Sequence, residues 1–284
     1  MAAFPTSWPA PAKLNLMLRV VGRRPDGYHE LQTVFQFLDI QDEIRFHLSD
    51  HPGIRVIHPI RGLPEERHLC YRAALALQQA SGCRLGVEIE LEKHLPVGGG
   101  LGGGSSDAAT TLVALNQLWG TGLDRRQLSD IGLSLGADVP IFIHGHSAWA
   151  EGIGERLTDL DPPSDWYLVV RPDCHVSTAE IFAQPDLTRN SPRIKIRDFL
   201  QGDRRNDCLP VVRRRHPQVA EALEWLDRFA TARLTGTGAC AFASFADESL
   251  AREAFRSLPA NLEGFVARGL NHSPLLERLQ HDEQ

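Results

Sequence analysis

Apolar and polar positions alternate near the start of the chain, where Leu14, Leu16, Leu18 and Val20 interleave with Lys13, Asn15, Met17 and Arg19. A period of two predicts a half-buried strand over residues 12–20, with Lys13 and Asn15 together on its non-core face. Turn-forming residues run from Gly22 to His29, and strand-like stretches follow at 31–39, 43–48 and 54–58. The period then changes. Leu69, Ala73 and Leu77 recur at helical spacing over 65–81, up to Gly82, a residue suited to a helix C-terminus. Residues 86–93 alternate again as a strand. Leu112, Leu115 and Trp119 mark a helix over 105–119 closed by Gly120, and Asp124 with Gln127 predicts a capping box on a helix ending at Gly136.

The remainder is mixed, with strands expected near 147–151, 166–171, 239–245 and 264–268 and helices near 178–183, 217–229 and 247–257. Strands and helices interleave without regular β-α alternation, which predicts an α+β fold rather than a doubly wound sheet. The Pro-rich segment 161–165 is the expected boundary between an N-terminal domain, 1–160, and a C-terminal domain, 161–284.

At 284 residues the chain is long enough to bury a large core without staples. Lys+Arg 30 against Asp+Glu 36 leaves a net charge of −6, which argues against nucleic acid as a partner. No apolar run approaches a membrane span, so no membrane partner is expected. Cys70, Cys83, Cys174, Cys208 and Cys240 are an odd, scattered set, which fits neither a disulfide framework nor a zinc site. With an N-terminus lacking a basic and an apolar leader region, they lead to the expectation of a cytoplasmic protein. The oligomeric state is left open.

The most informative segment is Pro96, Val97, Gly98, Gly99, Gly100, Leu101, Gly102, Gly103, Gly104, Ser105, Ser106, with six glycines in seven positions. Glycine is costly to order, so such a tract makes sense where backbone approaches a ligand closely or takes positive φ. It runs into a helix whose first turn offers unpaired N–H groups and positive partial charge, a ready phosphate site. Gly98, Gly100 and Gly103 fit the dinucleotide spacing G-x-G-x-x-G, but a second helix follows where that motif needs a strand. The Walker A pattern fails because no lysine follows the last glycine. A phosphate cradle is favoured over a flexible linker because the tract sits tightly between a strand and a helix. Read alone, Asp138 is a turn or capping side chain and Lys13 a solvated strand lysine. If the tract holds a nucleoside triphosphate, the remaining chemistry is phosphoryl transfer, which needs an acceptor hydroxyl, a carboxylate to take its proton and a cation nearby.

Several segments together closely resemble the GHMP kinase superfamily, from about residue 8 to about 275. They are Pro11–Leu16, Arg24–Thr33, Pro96–Ser106 with Asp107 to Thr110, Gly136–Pro140 and Thr235–Cys240. The glycine tract is common to the superfamily, whereas Asp26-Gly27-Tyr28-His29 combined with Pro11–Leu16 is similar to its cytidyl-substrate branch. The resemblance implies a two-lobed fold with the active site in the cleft between the lobes. It implies transfer of the ATP γ-phosphoryl group to the 2-hydroxyl of a cytidine diphosphate-linked methylerythritol, on a route to isoprenoid precursors. A homoserine or mevalonate type of kinase is the alternative. By the same resemblance, Lys13 and Asp138 match the catalytic pair and Asn15 a polar contact near it. Tyr28 and Phe182 match the walls of a cytosine pocket, His29 its edge reader and Thr178 a substrate contact, and Phe35 borders the pocket. His68 stands where the family has asparagine beside adenine, and Lys93 matches a residue near the nucleotide. Mg²⁺ is implied as cofactor with no ligand set assigned, although Ser106 and Asp107 lie near the expected phosphates. His144 and His146 make a poor metal site without a further ligand. Gly236 and Gly238 are expected to form a tight loop whose role is mainly structural.

Overall fold

A computed structural model of the chain describes residues 7–57 and 64–282. Its elements, numbered in chain order, begin with strands β1 (Trp8–Arg23), β2 (His29–Ser49) and β3 (Ile54–Ile57). Helix α1 (Leu69–Ser81), strand β4 (Gly86–Glu92) and helices α2 (Gly103–Leu118), α3 (Arg125–Leu135) and α4 (Val139–His144) follow. Then come β5 (Ala148–Gly152), β6 (Arg156–Asp159), β7 (Trp166–Pro172), α5 (Thr178–Ala183), α6 (Ile196–Leu200), α7 (Leu209–Arg215) and α8 (Pro217–Leu226). The chain closes with β8 (Arg233–Leu234), β9 (Ala241–Phe245), α9 (Glu248–Arg256), β10 (Leu262–Leu270) and α10 (Pro274–Asp282).

The strands join in one sheet ordered β3-β4-β2-β10-β7-β9-β8, with β1 and β5 also paired to β2 and β6 to β5. All strand pairings are antiparallel except β3 with β4, the α+β arrangement expected. Strand β2 is the spine. One edge carries β1, and the other carries β5 at Leu31–Phe35, β10 at Phe37 and Leu38, and β4 at Glu43–Ser49. Apolar side chains gather in three clusters: one around Phe37, Ile89 and Leu112 under α1, α2 and α4, and a second around Val170 and Trp225 under α7 and α8. The third lies between them around Leu14, Tyr167 and Phe242. Strand β1 feeds all three, through Trp8 and Ala10, then Ala12 to Met17, then Leu18 and Val20.

Local signals act as their chemistry requires. Gly82 takes the left-handed conformation and ends α1 by donating its N–H to the Gln78 carbonyl. Asp124 and Gln127 form both bonds of the capping box on α3.

Four expectations are corrected. Strand β1 is buried on both faces, because the glycine tract covers the side that carries Lys13 and Asn15. The stretches 31–39 and 43–48 are one strand, since Asp42, a poor strand former, is accommodated by accepting the N–H groups of His94 and Leu95. Helix α2 begins at Gly103, two residues early, and is buried around its circumference from Ser106 to Leu115 rather than along a stripe. Helix α8 ends at Leu226 rather than 229. Strands β6 and β8 and helices α4, α6, α7 and α10 are too short or too weakly patterned to have been anticipated. The N-terminal leader reading falls largely on residues 1–6 and the expected strand end at His58 on 58–63, both outside the described residues.

Candidate active site

Lys13 is almost fully buried on β1, and a buried ammonium must be neutralised and hydrogen-bonded. Its Nζ donates to Asn15 Oδ1 at 2.6 Å and to the Gly100 carbonyl at 3.1 Å, and it pairs with Asp138 Oδ2 at 3.1 Å. Those three contacts use the three N–H donors of a lysine. A hydrogen-bond relay sets the orientation. Thr33 donates its hydroxyl to the Met17 carbonyl at 2.5 Å and so accepts from Asn15 Nδ2 at 2.9 Å, which turns Asn15 Oδ1 toward the ammonium. Register shifts between Pro11 and Lys13 and between Asn15 and Met17 flank the pair, and such irregularities re-aim strand side chains. Asp138 occupies the N-cap position of α4, yet its side chain makes no capping bond and is free to meet Lys13.

The glycine tract wraps this centre. Gly98, Gly100 and Gly102 all take positive φ, near +75°. A Cβ on Gly102 would lie 2.7 Å from Phe142 Cζ and 2.9 Å from Lys13 Cε, so only glycine lets the loop close over the lysine. The loop from Thr235 to Cys240 packs behind the tract, with the Cys240 N–H donating to the Gly99 carbonyl at 3.1 Å and Thr235 Oγ1 to that of Gly100 at 3.1 Å.

Two cavities open side by side and share Gly100, Ser105 and Asp138. The smaller, about 440 Å³, is lined by His68, Lys93, Pro96 to Ser105 and Asp107. Every residue expected at the nucleotide lies on its wall except Ser106, which is fully buried behind it. His68 caps α1 by accepting the Cys70 N–H on Nδ1 at 3.3 Å, and burial together with the Lys93 charge lowers its pKa. Lys93 is clamped between carboxylates, Asp107 at 2.9 Å and Asp42 closer still. Burial works against its ammonium, but the charges of Asp107 and Asp42 outweigh it and raise the pKa. Two carboxylates share one lysine, so burial and Asp42 push Asp107 up to about 7 against the pull of Lys93.

The larger cavity, about 680 Å³, is lined by Lys13, Asn15, Tyr28, His29, Phe35, Thr178 and Phe182 together with Thr33, Thr237 and Gly154. His29 stacks on Phe182 with ring centroids 4.9 Å apart and planes 30° apart. Tyr28 is 58% exposed at the mouth, and Thr178 Oγ1 lies 2.9 Å from Thr237 Oγ1. Burial, then the charges of Arg189 and Arg23, lower the His29 pKa, so the ring is neutral at neutral pH. Thr33, Thr237 and Arg189 escaped the sequence reading. Thr237 stood inside a loop read as mainly structural, and Arg189 carries no periodic or motif signal. His144 and His146 are engaged elsewhere, His144 with Asp159 at 2.7 Å and His146 edge-on to His272 at 4.5 Å. Among the described residues no helix is long and apolar enough to cross a membrane.

A family model described as the GHMP kinases N terminal domain matches residues 68–146, and one described as GHMP kinases C terminal matches 188–264. The chain is 55% identical over 276 residues to a 4-diphosphocytidyl-2-C-methyl-D-erythritol kinase of Marinobacter nauticus, spanning 95% of this chain and 96% of that one. It superposes on a crystal structure of 4-(cytidine 5'-diphospho)-2C-methyl-D-erythritol kinase with a TM-score of 0.80 at 32% identity, covering 93% of this chain and 99% of the other. The mevalonate kinase of Methanococcus jannaschii shares the fold alone, with a TM-score of 0.71 at 15% identity over 95% of this chain and all of its own.

Proposed function

The chain belongs to the GHMP kinases, in the 4-diphosphocytidyl-2-C-methyl-D-erythritol kinase family, and from that premise we propose how its two cavities divide the reaction. The protein is an ATP-dependent small-molecule kinase that phosphorylates 4-diphosphocytidyl-2-C-methyl-D-erythritol, and we place the transfer on its 2-hydroxyl. The smaller cavity takes ATP, with the triphosphate on the backbone of Pro96 to Ser105 and the adenine near His68 and Lys93. The larger takes the cytidylated alcohol, with Tyr28 and Phe182 along the base, His29 at its edge and Thr178 and Asn15 on the remainder. The observation that carries this division is that the cavities meet only at Gly100, Ser105 and Asp138, directly beside the Lys13 ammonium.

At that meeting point Asp138 accepts the proton of the attacking hydroxyl as transfer proceeds, while Lys13 holds positive charge beside the developing anion. Lys13 reaches no further, because its donors are already committed, so it acts as a fixed charge rather than a mobile finger. The first-turn N–H groups of α2 offer donors to the phosphates. Ser106 Oγ and Asp107 Oδ1 are buried oxygens without a hydrogen-bond partner, and hard oxygen donors of this kind suit Mg²⁺. They are the residues we assign to hold it, and when bound it supplies charge neutralisation to the triphosphate. A division of the lobes near residue 160 and a cytoplasmic location belong to the same proposal.

A coupled ADP-release assay with Mg·ATP tests the reading. Release is expected with 4-diphosphocytidyl-2-C-methyl-D-erythritol and not with homoserine or mevalonate. Release with either of the latter alone would keep the Lys13–Asp138 centre and remove the cytosine pocket.

A further inference from the structure

Arg189 lies in the segment after α5, and its five N–H donors are all spent inside the protein. Nη2 donates to the carbonyls of Phe182 at 2.8 Å and Gln184 at 2.6 Å, and Nη1 to those of Leu187 at 3.1 Å and Pro185 at 3.5 Å. The fifth, Nε–H, donates to His29 Nε2 at 3.0 Å. This guanidinium makes no ion pair with a carboxylate among the described residues, and it does not line the substrate cavity. One arginine thus ties together the backbone of the aromatic wall and the ring of the edge reader, two residues more than 150 positions apart in sequence.

From that juxtaposition we infer that Arg189 is a positioning residue that fixes the tautomer of His29, making the ring a hydrogen-bond donor at Nδ1 and so selecting cytosine over uracil. A guanidinium has donors only and keeps its proton. The nitrogen it addresses must therefore carry a lone pair, and the single proton of a neutral imidazole then resides on Nδ1. At N3 of the Watson–Crick edge cytosine presents an acceptor and uracil an N–H donor, while O2 is an acceptor in both, so N3 is the atom by which a donor on His29 tells them apart. A ring locked as an Nδ1 donor matches the first and confronts the second donor to donor, and a buried donor left without an acceptor is what gives polar sites their discrimination. The depressed His29 pKa, caused by burial and the charges of Arg189 and Arg23, keeps the ring in the neutral form that has a tautomer to fix. The inference rests on the cytosine reading of the larger cavity for its meaning, but the tautomer can be measured without substrate.

Nitrogen-15 NMR of the histidine rings, recorded on the free full-length protein well above the histidine titration range, is expected to show His29 protonated on Nδ1. In Arg189→Met the proton is expected to move to Nε2 or to exchange between the two nitrogens. In kinase assays R189M should raise KM for the cytidylated substrate about tenfold while KM for ATP and kcat stay within about threefold, and the preference over the uridyl analogue should fall about tenfold. Arg189→Gln keeps hydrogen-bonding capacity but offers both a donor and an acceptor, so it imposes no tautomer and is expected to lose the same preference, which covers the case of R189M failing to fold. A wild-type ring carrying its proton on Nε2 would overturn the inference, as would either variant keeping both the Nδ1 tautomer and the cytidyl preference. A protein that ignores the cytidylated substrate altogether, with His29 still an Nδ1 donor, would overturn the selectivity claim and the reading of the cavity while leaving the tautomer standing.

Discussion

Lys13 and Asp138 lie 3.1 Å apart although 125 positions separate them in the chain, and each is held by something other than its partner. Lys13 is anchored through Asn15 and Gly100, and Asp138 by its place at the start of α4. Removing either should therefore spoil the chemistry more than the scaffold. In Asp138→Asn and Lys13→Ala, kcat is expected to fall by roughly 10²- to 10⁴-fold, the usual loss when a positioned base or a charge that stabilises the transition state is removed. ATP affinity, measured by equilibrium titration, should change much less, and near-normal kcat in either variant would remove the assigned role. These two residues were legible because each sits in a compact motif. Arg189 was not, because its meaning lies in a single contact to His29, made across a distance that no local pattern encodes. Thr237 was hidden differently, since a short glycine-rich loop reads as a turn whether or not it borders a cavity.

Three elements are fastened together by the Asp42–Lys93–Asp107 cluster: the middle of β2, the segment just after β4 and the second turn of α2. The cluster has one ammonium for two carboxylates, and Asp107 is pushed up to about 7. A carboxylate whose pKa is raised on folding binds more protons in the folded state, so its contribution to stability is full below the unfolded value, near 4, and is lost as pH rises toward 7. Asp107→Asn removes that dependence. Its melting temperature relative to wild type is expected to be higher at pH 8 than at pH 5, and an equal difference at the two values would show that Asp107 is ionised throughout. Lys93→Met is the opposite case, stranding two buried carboxylates at a cost of about 3–5 kcal/mol in chemical denaturation. Nothing local announced this cluster. Asp42 reads as a strand breaker, and the continuous strand becomes intelligible only when His94 and Leu95 are seen donating to it. By contrast, α1 and α3 were readable to within a few residues because their periods, caps and terminal glycine act within one or two turns of chain.

Strand β1 is the thread that makes the molecule one object. Its first residues belong to the cluster beneath α1 and α2, its last to the cluster beneath α7 and α8, and Lys13 and Asn15 sit at the midpoint. Its far end is sewn in by Asp207, which accepts the Val20 N–H at 2.8 Å, and its near half is covered by α10, where Leu275 joins the first cluster. The C-terminal helix thus returns to the N-terminal half, a closure that a boundary read from proline content does not anticipate. A lysine on a strand shared by all three clusters is held to the geometry of both halves, so neither half should loosen alone. Hydrogen exchange followed by mass spectrometry in sub-denaturing urea tests this at the scale of the whole chain. Peptides from α1 and α2 are expected to merge with those from α8 and α9 into one global opening of the same free energy and the same urea dependence. Leu16→Ala sharpens the test, because Leu16 is buried in the middle cluster and its truncation should cost about 2–5 kcal/mol. If β1 couples the halves, that loss appears equally in both sets of peptides. Two separate isotherms, or a loss confined to one set, would mean that the halves unfold independently and that the lysine is positioned by its immediate neighbours alone.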